Sequence, residues 1–458
     1  MKKYLYKIIN SDVSVIGISK KGISAALLAK NKGNNVFMSD IKSDKMLEKE
    51  LAVLREKKIP CETGINSEKI LESNIIVRCS GVPFDVPILK KARNAGIPIL
   101  DEIEFASLYN KAKIIAITGT NGKTTNIEIL SLIFKKAGKK VFKVGNSGIP
   151  FSSVVLKAKK RDVILMEVSC LHLEDLQYLK PDISFITNIT PDHLDRYGSM
   201  ARYATIKGNI LKHQSSKDYS IINADDKYSH YYDRISRAKK YYISCKSAVK
   251  QGVYIFGDKI AANMLKYNNK ILCNLKDLGI KTEYNYPNIL GAVAIAITSG
   301  VKLSVIRKAL EEFSGVKHRF EDLGEFNGIK VINDSKATNE DATINALRNC
   351  KGSIILILGG RDKNSSFNKI KKCLPDDIKA IVYYGEVKNK IYNTLKDKAF
   401  LVSVKSLDNA IDKSVSISKK GDTILFSPSC SVLKNQFENA EKRGEYFKVN
   451  IRKLLRRK

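Results

Sequence analysis

The sequence predicts an α/β fold divided into three domains, each built on a parallel sheet. Three observations carry that expectation. First, 458 residues at roughly 150 per domain leave room for about three domains. Second, three apolar runs, Val13–Gly17, Ile114–Gly119 and Ile354–Gly360, each end in a glycine turn followed by helical periodicity. Third, those runs fall in different thirds of the chain. Asn110-Lys111 precedes a fresh strand and Ser314-Gly315 interrupts a helical pattern, so the expected segments are 1–110, 111–316 and 317–458. Neither a repeat nor a low-complexity tract breaks this organisation.

Composition narrows the functional classes. With 43% hydrophobic and 28% charged residues, disorder throughout is excluded, and the apolar runs fall far short of the ~20 residues of a membrane-spanning helix. The segment Met1–Asp12 is basic but has no apolar stretch ahead of a cleavage site, so a cytoplasmic protein without an integral membrane segment is expected. Eight cysteines stand apart with no C-x-x-C pair, which reads as reduced thiols. The 80 Lys+Arg against 47 Asp+Glu give a net charge of +33. These cations are spread along the chain with no base-stacking signature, so no nucleic-acid partner is expected; the diffuse positive field would instead draw small anions. In the basic tail Lys448–Lys458, Phe447, Ile451, Leu454 and Leu455 recur at helical spacing. A last helix docked by its apolar stripe is favoured over one lying on anionic lipid.

The first unit places Asp40 at the end of the run Val36–Asp40, where a dinucleotide fold carries its ribose-binding acid. Ser19 occupies the second glycine position of G-x-G-x-x-G between Gly17 and Gly22, which favours a structural turn or another nucleotide over a nicotinamide cofactor. The second unit is sharper. Gly119-Thr120-Asn121-Gly122-Lys123-Thr124-Thr125 follows a buried strand and opens a helix, the arrangement in which freed backbone N–H groups and a helix N-terminus cradle phosphate. Lys123 would neutralise the β- and γ-phosphates, and the Thr124 hydroxyl would ligate Mg²⁺. Ile117 stands where the standard motif has its first glycine, so the loop is a shorter variant. Glu167, and the run Asn188 to Arg196 containing His193, each follow an apolar strand at the carboxyl edge, where open α/β sheets hold ligands. By residue type alone, His193 reads as a helix-start residue and Lys207 as a solvated lysine.

Together these segments resemble the Mur ligases, ATP-dependent amide-forming enzymes of cell-wall precursor synthesis, across essentially the whole chain. The short loop Thr118–Thr124 is shared by that family and by folylpolyglutamate synthases. The segments Gly315–Glu321 and Ile332–Asn339 resemble the branch that adds D-glutamate. The resemblance implies a Rossmann-like N-terminal domain, a central P-loop ATPase-type domain with a mostly parallel sheet, and a Rossmann-like C-terminal domain. It implies ATP binding by Gly119, Thr120, Asn121, Gly122, Lys123, Thr124 and Thr125, with Asn285 and Asn288 toward adenine and Arg319 and Asp334 from the third domain. Catalytic roles fall to Lys123, Glu167, His193 and Lys207, and Mg²⁺ to Thr124, Glu167 and a carbamylated Lys207. Asp40, Gly81 and Asn146 match the UDP-sugar side, with Ser169 and His193 near the substrate; Lys336, Thr338 and Lys363 match positions for the incoming amino acid. The implied partners are UDP-N-acetylmuramoyl-L-alanine and D-glutamate, joined through an acyl phosphate by a monomeric enzyme of cytoplasmic peptidoglycan synthesis. The alternatives are a sister ligase adding another amino acid and, in a different class, a nucleic-acid-stimulated P-loop ATPase. Departures from the family pattern are Lys20 and Lys21 in the first turn, Ser169-Cys170-Leu171-His172 in place of Ser-Ser-Phe-Gln, and one extra residue between Cys430 and Arg443.

Overall fold

Each apolar run becomes a strand flanked on both sides by others, so continuous hydrophobicity and burial on two faces go together. The computed structural model describes residues 11–280, 282–350, 352–362 and 365–456. The first sheet holds β1 (Asp12–Ile16), β2 (Asn35–Asp40), β3 (Cys61–Thr63), β4 (Ile75–Arg78) and β5 (Ile99–Asp101), all parallel in the order β3-β2-β1-β4-β5. The order reverses at β1, which opens a crevice at the carboxyl ends of β1 and β4. Ser19 explains itself here: its side chain accepts from the Gly22 N–H and caps the helix Lys20–Asn31.

The second sheet contains β6 (Lys113–Thr118), β7 (Val141–Gly145), β8 (Val163–Glu167), β9 (Ile183–Ile186), β10 (Tyr219–Asn223), β11 (Lys239–Ser244), β12 (Gly252–Phe256), β13 (Lys259–Met264) and β14 (Tyr267–Asn274). Its order is β14-β13-β12-β11-β10-β9-β6-β8-β7; the stretch from β7 to β12 is parallel and β12 to β14 form an antiparallel meander. The third sheet comprises β15 (Glu321–Phe326), β16 (Ile329–Asn333), β17 (Ile354–Gly360), β18 (Ile378–Gly385), β19 (Leu401–Ser403) and β20 (Thr423–Phe426), ordered β15-β16-β20-β17-β18-β19. Only its β15–β16 pair is antiparallel.

Two compact units divide the chain, one running to Phe313 and the other from Ser314, with Thr282–Tyr284 counted in the second. In the first unit one apolar cluster spans the first two sheets: Val15, Leu28 and Phe105 belong to the same buried cluster as Phe151, Met166 and Leu179. In the second unit, the helix Ala440–Leu455 buries Phe447, Ile451 and Leu455, and Phe447 stacks on Phe426 of β20 at a centroid distance of 4.5 Å. The docked reading of the tail stands for this helix. Among the described residues no helix is long and apolar enough to cross a membrane.

Candidate active site

The phosphate-type loop sits between β6 and the helix Lys123–Lys136. Gly119 and Gly122 have φ of 137° and 84°. A Cβ at Gly119 would stand 1.9 Å from Thr187 Oγ1, and one at Gly122 2.1 Å from Asn288 Oδ1, so both positions require glycine on two counts. The segment after β9 clamps the loop from the side. Thr120 N–H donates to the Asn188 carbonyl (2.8 Å), Asn121 N–H to Asn188 Oδ1 (3.0 Å), and Thr190 N–H to Thr120 Oγ1 (3.0 Å). Behind it, Asn126 Nδ2 donates to Asn288 Oδ1 (3.0 Å) and Asn288 Nδ2 to Asn285 Oδ1 (3.3 Å). Lys123 Nζ donates to the Gly119 and Thr120 carbonyls at 2.9 and 2.8 Å, keeping its charge inside the loop.

Glu167 ends β8 and is buried. Thr124 Oγ1 donates to its Oε2 (2.9 Å) and Asn146 Nδ2 to its Oε1 (3.0 Å). Burial alone would raise its pKa, yet the nearby Lys123 ammonium and hydrogen bonds from Ser147, Asn146 and Thr124 outweigh burial and hold the carboxyl below its ordinary value. The structure thus brings Lys123, Thr124, Asn146 and Glu167 together.

Lys207 corrects the reading made from residue type alone. It is 1% exposed, on the inward stripe of the helix Met200–Gly208 with Tyr203 and Ala204, and its Nζ lies 4.8 Å from the Tyr203 ring centroid. Residues four apart share a helix face, and the Tyr203 stripe carries the lysine inside with it. Among the described residues no carboxylate lies within ion-pair distance of Lys207. His193, with φ of 51°, immediately precedes the short helix Leu194–Tyr197 without a side-chain cap bond and is exposed, its Nε2 3.7 Å from Asp192 Oδ2. Ser169 caps the helix Cys170–Leu173, with its Oγ 2.7 Å from His172 Nδ1.

In the crevice of the first sheet, a cavity of about 620 Å³ is lined by Asp40, Gly81, Lys21, Lys42 and Ser80 among others. Asp40 accepts from the N–H groups of Ile18 (2.8 Å) and Lys42 (3.0 Å). Lys21 Nζ donates to Ser80 Oγ at 3.3 Å.

In the second unit Asp334 is buried, accepting from Phe320 N–H (3.0 Å) and Ser427 Oγ (2.9 Å). Burial pushes its carboxyl up to about 7 against the opposing pull of those bonds and of Arg319. Lys336 pairs with Glu441 at 2.9 Å, and Thr338 is half-buried beside Asn339, which caps the helix Glu340–Asn349. Lys363 lies outside the described residues. Sequence reasoning did not single out Ser147, Thr187, Asn126 or Arg443. Arg443 is 1% exposed and donates to Ser335 Oγ, Ser335 O, Cys430 O and Ser431 O, tying the Cys430 turn to the segment after β16. A buried arginine in a helix rich in Lys and Glu carries no local signal of that task.

Residues 117–296 match the Mur ligase middle domain and residues 318–430 the Mur ligase glutamate ligase domain. A protein of Alkaliphilus metalliredigens named UDP-N-acetylmuramoylalanine–D-glutamate ligase is 35% identical over 452 residues, covering 98% of this chain and 99% of that protein. One of the same name from Caldanaerobacter subterraneus subsp. tengcongensis is 36% identical over 451 residues, covering 97% and 98%. Among solved structures, UDP-N-acetylmuramate-alanine ligase from Thermotoga maritima shares the fold with a TM-score of 0.59 at 20% identity, covering 98% of this chain and 99% of that one. The MurF ligase from Thermotoga maritima, solved in complex with ADP, has a TM-score of 0.58 at 15% identity and covers 92% and 95%. With its phosphate loop, its three sheets and this identity along nearly its whole length, the chain belongs to the Mur ligase family.

Proposed function

We propose that this protein joins D-glutamate to UDP-N-acetylmuramoyl-L-alanine at the expense of ATP, as a cytoplasmic enzyme of peptidoglycan precursor synthesis. The observation that carries the reading is the contact of Thr124 with an ionised, buried Glu167 beside Lys123, in a chain whose full-length relatives bear that name. In the first step a carboxylate oxygen of the L-alanyl group attacks the γ-phosphorus of ATP, the bond to the β–γ bridging oxygen breaks, and an acyl phosphate and ADP result. In the second step the D-glutamate amine, having lost its ammonium proton, attacks the acyl carbon. A C–N bond forms, the C–O bond to phosphate breaks, and inorganic phosphate leaves with the electron pair and takes up the proton that the nitrogen gives up as it becomes an amide.

Two anions must meet in the first step, so positioning and cationic screening supply most of the catalysis. Lys123 would exchange the loop carbonyls for the β- and γ-phosphates, while the N–H groups of Gly119 to Thr125 surround them. Glu167 and Thr124 offer the oxygen donors that a hard cation prefers, and Lys207, buried without a carboxylate among the described residues, would become such a donor on carbamylation. Mg²⁺ held there would screen the γ-phosphate and the incoming carboxylate. His193 would stand near the reacting carboxylate with Ser169. Asn285 and Asn288 would support the adenine side, and Arg319 and Asp334 would act on the nucleotide from the third domain. The crevice of Asp40 and Gly81 would take the UDP moiety, Asn146 would bridge it to Glu167, and Lys336, Thr338 and Lys363 would hold D-glutamate. On this reading the labour divides at about residues 110 and 316.

The decisive experiment supplies ATP, Mg²⁺ and UDP-N-acetylmuramoyl-L-alanine with D-glutamate or each of a panel of other amino acids. Product mass and phosphate release should appear together with D-glutamate. Turnover with a different amino acid would reassign the chain to a sister activity. Phosphate release that rises with RNA or DNA and ignores amino acids would overturn the reading.

A further inference from the structure

The helix Glu102–Ser107 grows from the end of β5, capped by Asp101, whose carboxylate lies 3.6 Å from the equally buried Arg78. Two of its acids, Glu102 at 1% and Glu104 at 0% exposure, are buried, and among the described residues neither forms an ion pair. Residues two apart on a helix point roughly 200° from each other, so these two reach different loops of the second sheet. Glu102 Oε1 accepts from Ser152 N–H at 2.7 Å. Glu104 Oε1 accepts from three successive N–H groups, those of Gln177 (2.8 Å), Tyr178 (2.6 Å) and Leu179 (3.1 Å). The second oxygen of each carboxylate is buried with no hydrogen-bond partner, so burial pushes both groups up to about 7.

An arrangement this unfavourable in solvation terms has a particular location. Ser152 closes the loop that leaves β7, and Gln177–Leu179 lies beyond the helix that follows β8. These are neighbouring strands, one ending beside Asn146 and the other in Glu167. The first loop is a tight unit in which Ile149 N–H donates to the Lys143 carbonyl (3.1 Å) and Asn146 N–H to the Glu167 carbonyl (2.8 Å). What holds Ser152 therefore holds the arms of Asn146 and Ser147 that reach the Glu167 carboxylate.

We propose that Glu102 and Glu104 are positioning residues for the ligation: they grip the loops after β7 and β8 and so keep Asn146, Ser147 and Glu167 in register with the phosphate loop. This rests on the functional reading given above, and neither acid touches the reacting atoms.

The test compares Glu102→Gln, Glu102→Leu, Glu104→Gln and Glu104→Leu in the full-length protein by steady-state kinetics and amide hydrogen exchange. Glutamine keeps an acceptor and the shape, whereas leucine keeps only bulk. Glu102→Leu should lower kcat at least about tenfold with the KM for ATP changed less than about threefold, and Glu102→Gln should restore most of kcat. Exchange in the protein alone should quicken over 146–152 in Glu102→Leu and over 177–179 in Glu104→Leu, while β10 stays protected. Wild-type kcat in Glu102→Leu, or exchange that rises uniformly with activity following the folded fraction, overturns the proposal. If Glu102→Leu does not fold, Glu104→Leu decides: exchange over 177–179 should quicken while β10 stays protected, and no rise there overturns the grip. Should the wild type form no peptide bond, the functional reading fails, and the exchange data still judge the grip.

Discussion

At Gly122 a left-handed backbone and the carboxamide of Asn288 together leave no space for a side chain. Gly122→Ala should therefore destabilise the first unit by about 1–3 kcal/mol and weaken nucleotide binding, as read by urea titration and calorimetry. Lys123→Ala leaves the loop glycines intact but removes its cation; product formation should fall by at least about 10²–10³ with little change in melting temperature. Asp334 gives a pH signature. Its folded-state value, near 7, lies above the ordinary carboxylate value, so its contribution to stability is fully present below about pH 4 and is lost as the pH rises toward 7. In Asp334→Asn the melting temperature of the second unit should fall less between pH 5 and pH 8 than in the wild type. The phosphate loop was legible because its chemistry is written in seven consecutive residues. Lys207 was not, since its burial depends on Tyr203 and on the elements its helix packs against, and no local pattern distinguishes a buried lysine from a solvated one.

Elements behaved according to how local their signals are. The three strand–glycine–helix units stand where periodicity placed them, and the spacing of Phe447, Ile451 and Leu455 marks the buried face of the last helix. That face is testable: Phe447→Ala should destabilise by about 3–5 kcal/mol through lost packing on Phe426, whereas Val449→Ala, at a position 57% exposed, should change stability by less than about 0.5 kcal/mol in the same denaturation assay. The meander β12 to β14 left a weaker trace. Its strand β14 runs Tyr-Asn-Asn-Lys-Ile-Leu-Cys-Asn, with asparagines where β propensity is poor, so its pairing to β13 rather than its composition makes it a strand. Ser19 shows the converse: the departure from a dinucleotide fingerprint was visible, but its use as a helix cap needed the backbone.

At the scale of the molecule, a charge of +33 attracts every anion the enzyme uses. Raising the ionic strength should lower kcat/KM for the anionic precursor while leaving kcat nearly constant, because screening slows encounter and not chemistry. The landmark at Asn110-Lys111 tells where a new strand begins, but not what packs against what; the common core of the first two sheets is assembled from side chains far apart in sequence, such as Leu28 and Phe151. That common core has one more effect. It makes the crevice of Asp40 and the loop of Lys123 two ends of one solid block, so the span between them works as a fixed caliper. On the proposed reading, in which the crevice takes the UDP moiety, an acceptor lengthened by a single methylene ahead of its carboxylate should still occupy the crevice but overshoot the phosphorus, leaving a tight competitive inhibitor where a substrate had been.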